Sequence, residues 1–151
     1  MSAEADVIDD NLNANVNSNV VRLRVLRPDV RSLSQSSYES LFEPDDLSWL
    51  SAHERLSVAL RVAELNEAPG LALRYREKLA ATAPAEAVSG RLLAILRHTD
   101  LVTLYPVRTV SAAPANRSHY GLTESEIVTL SRIIAFVAYQ ARIIACFCSM
   151  E

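Results

Sequence analysis

Cysteine is absent from Met1 through Ala145 and occurs only as Cys146 and Cys148. Two closely spaced cysteines at one end build no disulfide framework, and the expected compartment is reducing and cytoplasmic. Glycine is nearly missing as well. Gly70, Gly90 and Gly121 are the full set, each at an apparent element boundary, which excludes a Gly-rich phosphate loop and suits a helical chain. Lys78 is the single lysine, every other basic residue is Arg, and the formal net charge is −3. That balance supplies no broad basic surface, and the one Arg-dense segment, Arg22–Arg31, is short and interrupted by Pro28, so nucleic acid is not an expected partner. No basic segment leading into an apolar run is visible near Met1, so no secretory signal is expected. The longest apolar stretch, Ile133–Phe147, is interrupted by Gln140 and Arg142 and is expected to be too short and too polar to span a bilayer.

What is present is globular: 151 residues, 50% apolar and 22% charged, enough for one domain with a proper core. Residues 1–17 are polar, with Asn11, Asn13, Asn15 and Asn17 alternating and Asn19 continuing the pattern, and are expected to form a flexible arm, disordered or loosely docked, preceding a single helical domain over 18–151. Val20–Leu26 reads equally as helix or extended chain, closed by Pro28. Val30–Phe42 reads as a helix with Leu33, Ser37 and Leu41 on one face and Tyr38 and Phe42 adjoining. The stretch Leu50–Leu79 is a helix, a tight break at Asn66–Gly70 and a second helix. Ser51 and Glu54 form a capping box. Leu56, Ala59, Leu60 and Ala63 follow at helical spacing, and Val58, Val62 and Leu65 widen that stripe toward burial on more than one side. Pro69 suits the first turn of the next helix, Gly70–Ala81, with Leu71, Tyr75 and Leu79 inward. A helix over Ser89–Leu104 offers Leu92, Leu93, Ile95, Leu96 and Val102 for burial, and Pro106 ends it. Residues 107–120 are weakly patterned, Pro114 allowing at most a short helix. Gly121 suits a left-handed stop. Thr123 and Glu126 form a second capping box for a last helix from Glu124 to about Cys146. That helix is apolar nearly all round from Ile133, which predicts a partner subunit against it and so a homo-oligomer. The fold class is all-α.

Three blocks taken together have a familiar order and spacing: LSAHERLSVALRVAELN (Leu50–Asn66), RLLAILRHTDLVTLYP (Arg91–Pro106) and GLTESEIVTLSRIIAFVAYQAR (Gly121–Arg142). They resemble the carboxymuconolactone decarboxylase / alkylhydroperoxidase D-like superfamily. The third is similar to the last helix of its peroxidase-related branch through Gly121, Leu122, Ile127, Ala135, Phe136, Tyr139 and Arg142. The resemblance implies an alkylhydroperoxidase D-like helical bundle and an antioxidant-type activity. In such enzymes a helix N-terminus favours one Cys as thiolate, a second Cys one turn on resolves it into a disulfide, and a Glu and a His relay protons. Carried onto this chain, the two Cys positions fall at Ala68 and Leu71, the His position at Tyr75 and the Glu position at Leu56. All four are replaced. Ala and Leu carry no nucleophile, and a phenol titrates too high to replace imidazole near neutrality. The expectation is a retained fold with a degenerate active site, without thiol peroxidase chemistry and without a cofactor. The acid–base chemistry of the lactone-decarboxylase branch stays open.

A pocket, if retained, is expected between the break and the last helix, with Tyr75, Tyr139 and Arg142 as its polar groups and a small apolar ligand as its occupant. The alternative is a scaffold whose cleft is filled. Arg61 and Glu64 read as a one-turn bridge, and Arg142 as an ion pair at a subunit interface. Cys146 and Cys148 point to nearly opposite sides of a helix and suit packing on a buried helix. His53 reads as a surface residue, His98 as a partly buried satisfied one and His119 as a loop residue, and the three make no metal signature. Glu4, Asp9-Asp10 and Asp45-Asp46 read as solvated charges.

Overall fold

A computed structural model describes residues 6–12, 18–47, 49–82, 89–111 and 121–150. Among the described residues there are eight helices and no strand: α1 (Val7–Asn11), α2 (Ser18–Val25), α3 (Pro28–Phe42), α4 (Ala52–Leu65), α5 (Pro69–Ala81), α6 (Gly90–Leu104), α7 (Pro106–Ser111) and α8 (Glu124–Cys148). The all-α expectation holds, and the segment left open at Val20–Leu26 is helical. His119, Pro114, Glu4 and the Asn13–Asn17 part of the expected arm lie outside the described residues.

Helix ends follow local chemistry. Both capping boxes form: Ser51 Oγ accepts from the Glu54 amide while the Glu54 carboxylate accepts from the Ser51 amide, and Thr123 and Glu126 do the same. Ser89 caps α6 by accepting from the Leu92 amide. The α4–α5 break is a Schellman motif. Glu67 sits left-handed at φ 54, its amide donates to the Glu64 carbonyl at 3.0 Å, and the Ala68 amide donates to the Ala63 carbonyl at 3.0 Å. Ala68 is then also the N-cap of α5, and Pro69 takes the first helical position, where it has no hydrogen bond to lose.

The core is built around α4, which packs on α3, α5, α6 and α8. Val58, Ala59, Val62 and Ala63 are buried against Ile95, Leu130, Ile133 and Val137, as expected for a helix covered on several sides. α8 runs two residues further than expected. Over its full length it is the one helix among the described residues long and apolar enough to cross a membrane by length and composition alone, a test that the core helix of a globular bundle also passes. Its Leu130, Ile133, Phe136, Val137, Gln140 and Ala141 are buried inside the bundle.

Several faces are rotated from the expected ones. In α3 the inward residues are Ser34, Tyr38, Leu41 and Phe42, while Leu33 is 67% exposed and Ser37 faces solvent. The aromatic stack sets this rotation: Tyr38 lies 5.0 Å from Phe42, which lies 5.4 Å from Tyr75 and 6.5 Å from Phe136 between ring centroids. In α6 Ile95 and Thr99 are buried and Leu93 is exposed. The 1–17 stretch is not an unstructured arm throughout: α1 is docked with Ile8 fully buried.

Candidate functional site

The four positions to which the resemblance assigns chemistry are packing positions. Leu71 and Tyr75 are buried, and Leu56 and Ala68 are partly buried against the same core as Phe42 and Phe136. Tyr75 is 2% exposed, and its hydroxyl donates to Gln140 Oε1 at 2.6 Å. Burial pushes the Tyr75 phenol well above its ordinary value, nearby Tyr38 adds to this, and the Gln140 bond opposes it. A phenol held neutral in this way is no base near neutrality. Gln140 Nε2 has no hydrogen-bond partner among the described residues, so this buried amide uses only one of its two polar ends.

Tyr75, Tyr139 and Arg142 are not gathered into one pocket. Gln140, one residue on from Tyr139, faces Tyr75, because neighbours on a helix point about 100° apart. Tyr139 and Arg142 are exposed. Tyr139 lines a groove of about 220 Å³ with Leu23, Arg24, Arg27, Val30, Arg31, Ile143 and Phe147, a set without Tyr75 or Arg142. A second groove of about 460 Å³ opens between α4, α5 and α6, lined by Ser57, Leu60, Arg61, Glu64, Leu79, Leu93, Leu96, Arg97 and Asp100. Its rim corrects the expected Arg61–Glu64 bridge. Arg61 instead grips Asp100 with both prongs, Nε at 2.6 Å and Nη2 at 2.9 Å, and Glu64 accepts from Arg76 at 3.0 Å.

The other candidates are also relocated. Cys146 and Cys148 are free and exposed, while Ile143, Ile144 and Phe147 are the residues of that end of α8 that pack inward, so the buried packing role is corrected. His53 is half-buried, with Nδ1 unpartnered among the described residues. Asp9 is not a solvated charge: it accepts from Arg24 and Arg31. Among the described residues no group of His, Cys, Asp and Glu could hold a metal.

Two arginines that sequence reasoning passed over are structurally central. Arg55 is 2% exposed, and its Nε donates to the Leu50 carbonyl at 2.9 Å and Nη1 to the Leu41 carbonyl at 2.7 Å. It satisfies an orphan carbonyl in the last turn of α3. Burial lowers its pKa, Arg132 lowers it further, and Asp46 and Glu54 oppose both; a guanidinium remains charged regardless. Arg91 bridges the two capping-box glutamates, donating to Glu54 at 2.7 Å and to Glu126 at 2.6 Å. The N-termini of α4, α6 and α8 therefore meet at one side chain. A run of apolar residues at Arg91's neighbours hides this role from periodicity.

No protein-family profile matches the chain, and neither does any curated protein or any solved structure.

Proposed function

We propose that the chain is a non-catalytic protein of the alkylhydroperoxidase D-like type, working as a scaffold that assembles with copies of itself through its last helix. The observation that carries this reading is the filled break. Leu71 and Tyr75 occupy the space where a dithiol and its proton relay would need an open, polar and electropositive setting, and Tyr75 is committed to a buried bond with Gln140. No thiol exists within the hairpin. The only thiols lie at the far end of α8, which places no second cysteine one turn from the first. The assembly half of the proposal is supported by the exposed side of α8, where Val128 and Tyr139 face outward beside Ala135. In this reading a ligand role belongs to the α4–α6 groove, whose Leu60, Leu79, Leu93 and Leu96 accept an apolar body, and not to the break.

The test is thiol-dependent reduction of hydrogen peroxide and an organic hydroperoxide by the purified chain, beside a Cys146→Ser/Cys148→Ser variant. The expected rate equals the protein-free background in both. Turnover that the double variant abolishes overturns the proposal.

A further inference from the structure

The most heavily charged buried cluster is centred on α1. α1 has five residues, too few to persist as a helix alone. Yet Ile8, with Leu12 and Val20, forms a cluster separate from the main core, packed on Ile143, Ile144 and Phe147 at the end of α8. Charges ring this contact. Asp6 caps α1 through the amides of Ile8 and Asp9, and accepts from Arg24 Nη2 at 2.5 Å. Asp9 accepts from Arg24 Nε at 2.5 Å and from Arg31 Nη2 at 2.5 Å. Arg74 of α5 donates to the Asp10 carbonyl, and the Val7 amide donates to Gln35 Oε1 at 3.1 Å. In these ion pairs every acid comes from the α1 segment and every base from the body of the molecule. Lifting α1 away would strip Arg24 and Arg31 of these carboxylates and uncover the end of α8. What remains is an apolar floor with a cationic rim, the complement of a short acidic amphipathic helix.

We propose that this groove is a docking site for an acidic amphipathic helix with the pattern of residues 6–12, Asp-Val-Ile-Asp-Asp-Asn-Leu, and that the α1 of a second copy occupies it in trans. Each copy carries both halves of the complementarity. The contacts made in trans are those released in cis, so exchange costs little beyond association, and reciprocal exchange closes a two-fold dimer. Of α1, Val7 also packs against the main core, but the buried residues of that core all come from later elements and stay in contact with one another when α1 leaves. The open groove holding Leu23, Arg27 and Tyr139 shares Arg24, Arg31, Ile143 and Phe147 with the α1 site, so the receptive surface continues past α1. None of this depends on whether the hairpin is catalytic.

The probe is a fluorescein-labelled peptide of residues 1–13, read by anisotropy against the full-length chain. An Ile8→Asp variant, with its own α1 displaced and its groove intact, is expected to bind the peptide about ten-fold more tightly than the wild type. Placing Asp6→Asn and Asp9→Asn in the peptide is expected to weaken that binding about ten-fold or more. For the second copy as source, Ile8→Asp chain is mixed with Arg24→Glu chain, which has an intact α1 and a damaged groove. Light scattering is expected to find one-to-one association of the two variants beyond whatever assembly either forms alone through α8. Circular dichroism checks that both variants fold. If either does not, the wild type decides: excess peptide is expected to speed hydrogen exchange of the chain's own α1 amides, and unchanged exchange overturns the proposal. So does charge-insensitive peptide binding, absence of binding to a folded variant, or a mixture that associates no more than its components.

Discussion

Tyr75 and Gln140 form a buried polar pair whose amide keeps one donor unused, so the two residues should behave as a unit. Tyr75→Phe removes the hydroxyl and leaves the whole Gln140 amide buried without a partner, which costs about 1–3 kcal/mol. Gln140→Leu in that background removes the stranded amide and is expected to recover most of the loss. Urea denaturation of the four members of the cycle measures this, and additive single and double losses would refute the pairing. Arg55 illustrates the same logic with a charge: it has two backbone carbonyls in place of a carboxylate. Both residues were hidden in the sequence for one reason. A polar residue inside an apolar helical stripe reads as exposed unless its distant partner is known.

At the scale of elements, Glu67 occupies the left-handed position that closes α4, where glycine is the usual residue. A β-carbon costs about 1–2 kcal/mol in that conformation, against the backbone entropy glycine loses on folding. Glu67→Gly is therefore expected to stabilise the chain by about 0.5–1 kcal/mol, seen as a raised urea midpoint with an unchanged slope. The break itself was legible because Pro69 acts within a few residues, as the capping box at Ser51 does for the start of α4. The capped start at Thr123 was legible for the same reason, while the cap at Ser89 emerged only in the structure. The face of α3 was not, since ring stacking against Tyr75 and Phe136 chose its rotation and turned Ser34 inward in place of Leu33. α1 was not legible either. Five residues carry no usable period, and its docking depends on Arg24 and Arg31, which follow in later helices. The inward setting of Leu71 and Tyr75 could be read from helical spacing, while the supposed convergence of Tyr139 and Arg142 on Tyr75 failed on helix rotation.

For the molecule as a whole, the junction at Arg91 ties together helices distant in sequence. Burial raises the Glu126 carboxyl, but hydrogen bonds from Thr123 and Arg91 overcome this and leave its pKa below the ordinary glutamate value. A carboxylate depressed in the folded state stabilises the fold above its unfolded pKa, and that contribution fades as pH falls through the folded one. Glu126→Gln should then lose stability at neutral pH and flatten the acid limb of the stability curve below about pH 4. An acid limb identical to the wild type would sink this assignment. The same junction has a consequence in time. Glu54, Arg91 and Glu126 meet only when three helices separated by long stretches of chain are already in place, and a late contact of that kind is absent from the barrier to folding. Breaking it with Arg91→Ala should leave the refolding rate close to that of the wild type and speed unfolding, so that the residue governs how long the folded molecule lasts, and not how quickly it forms.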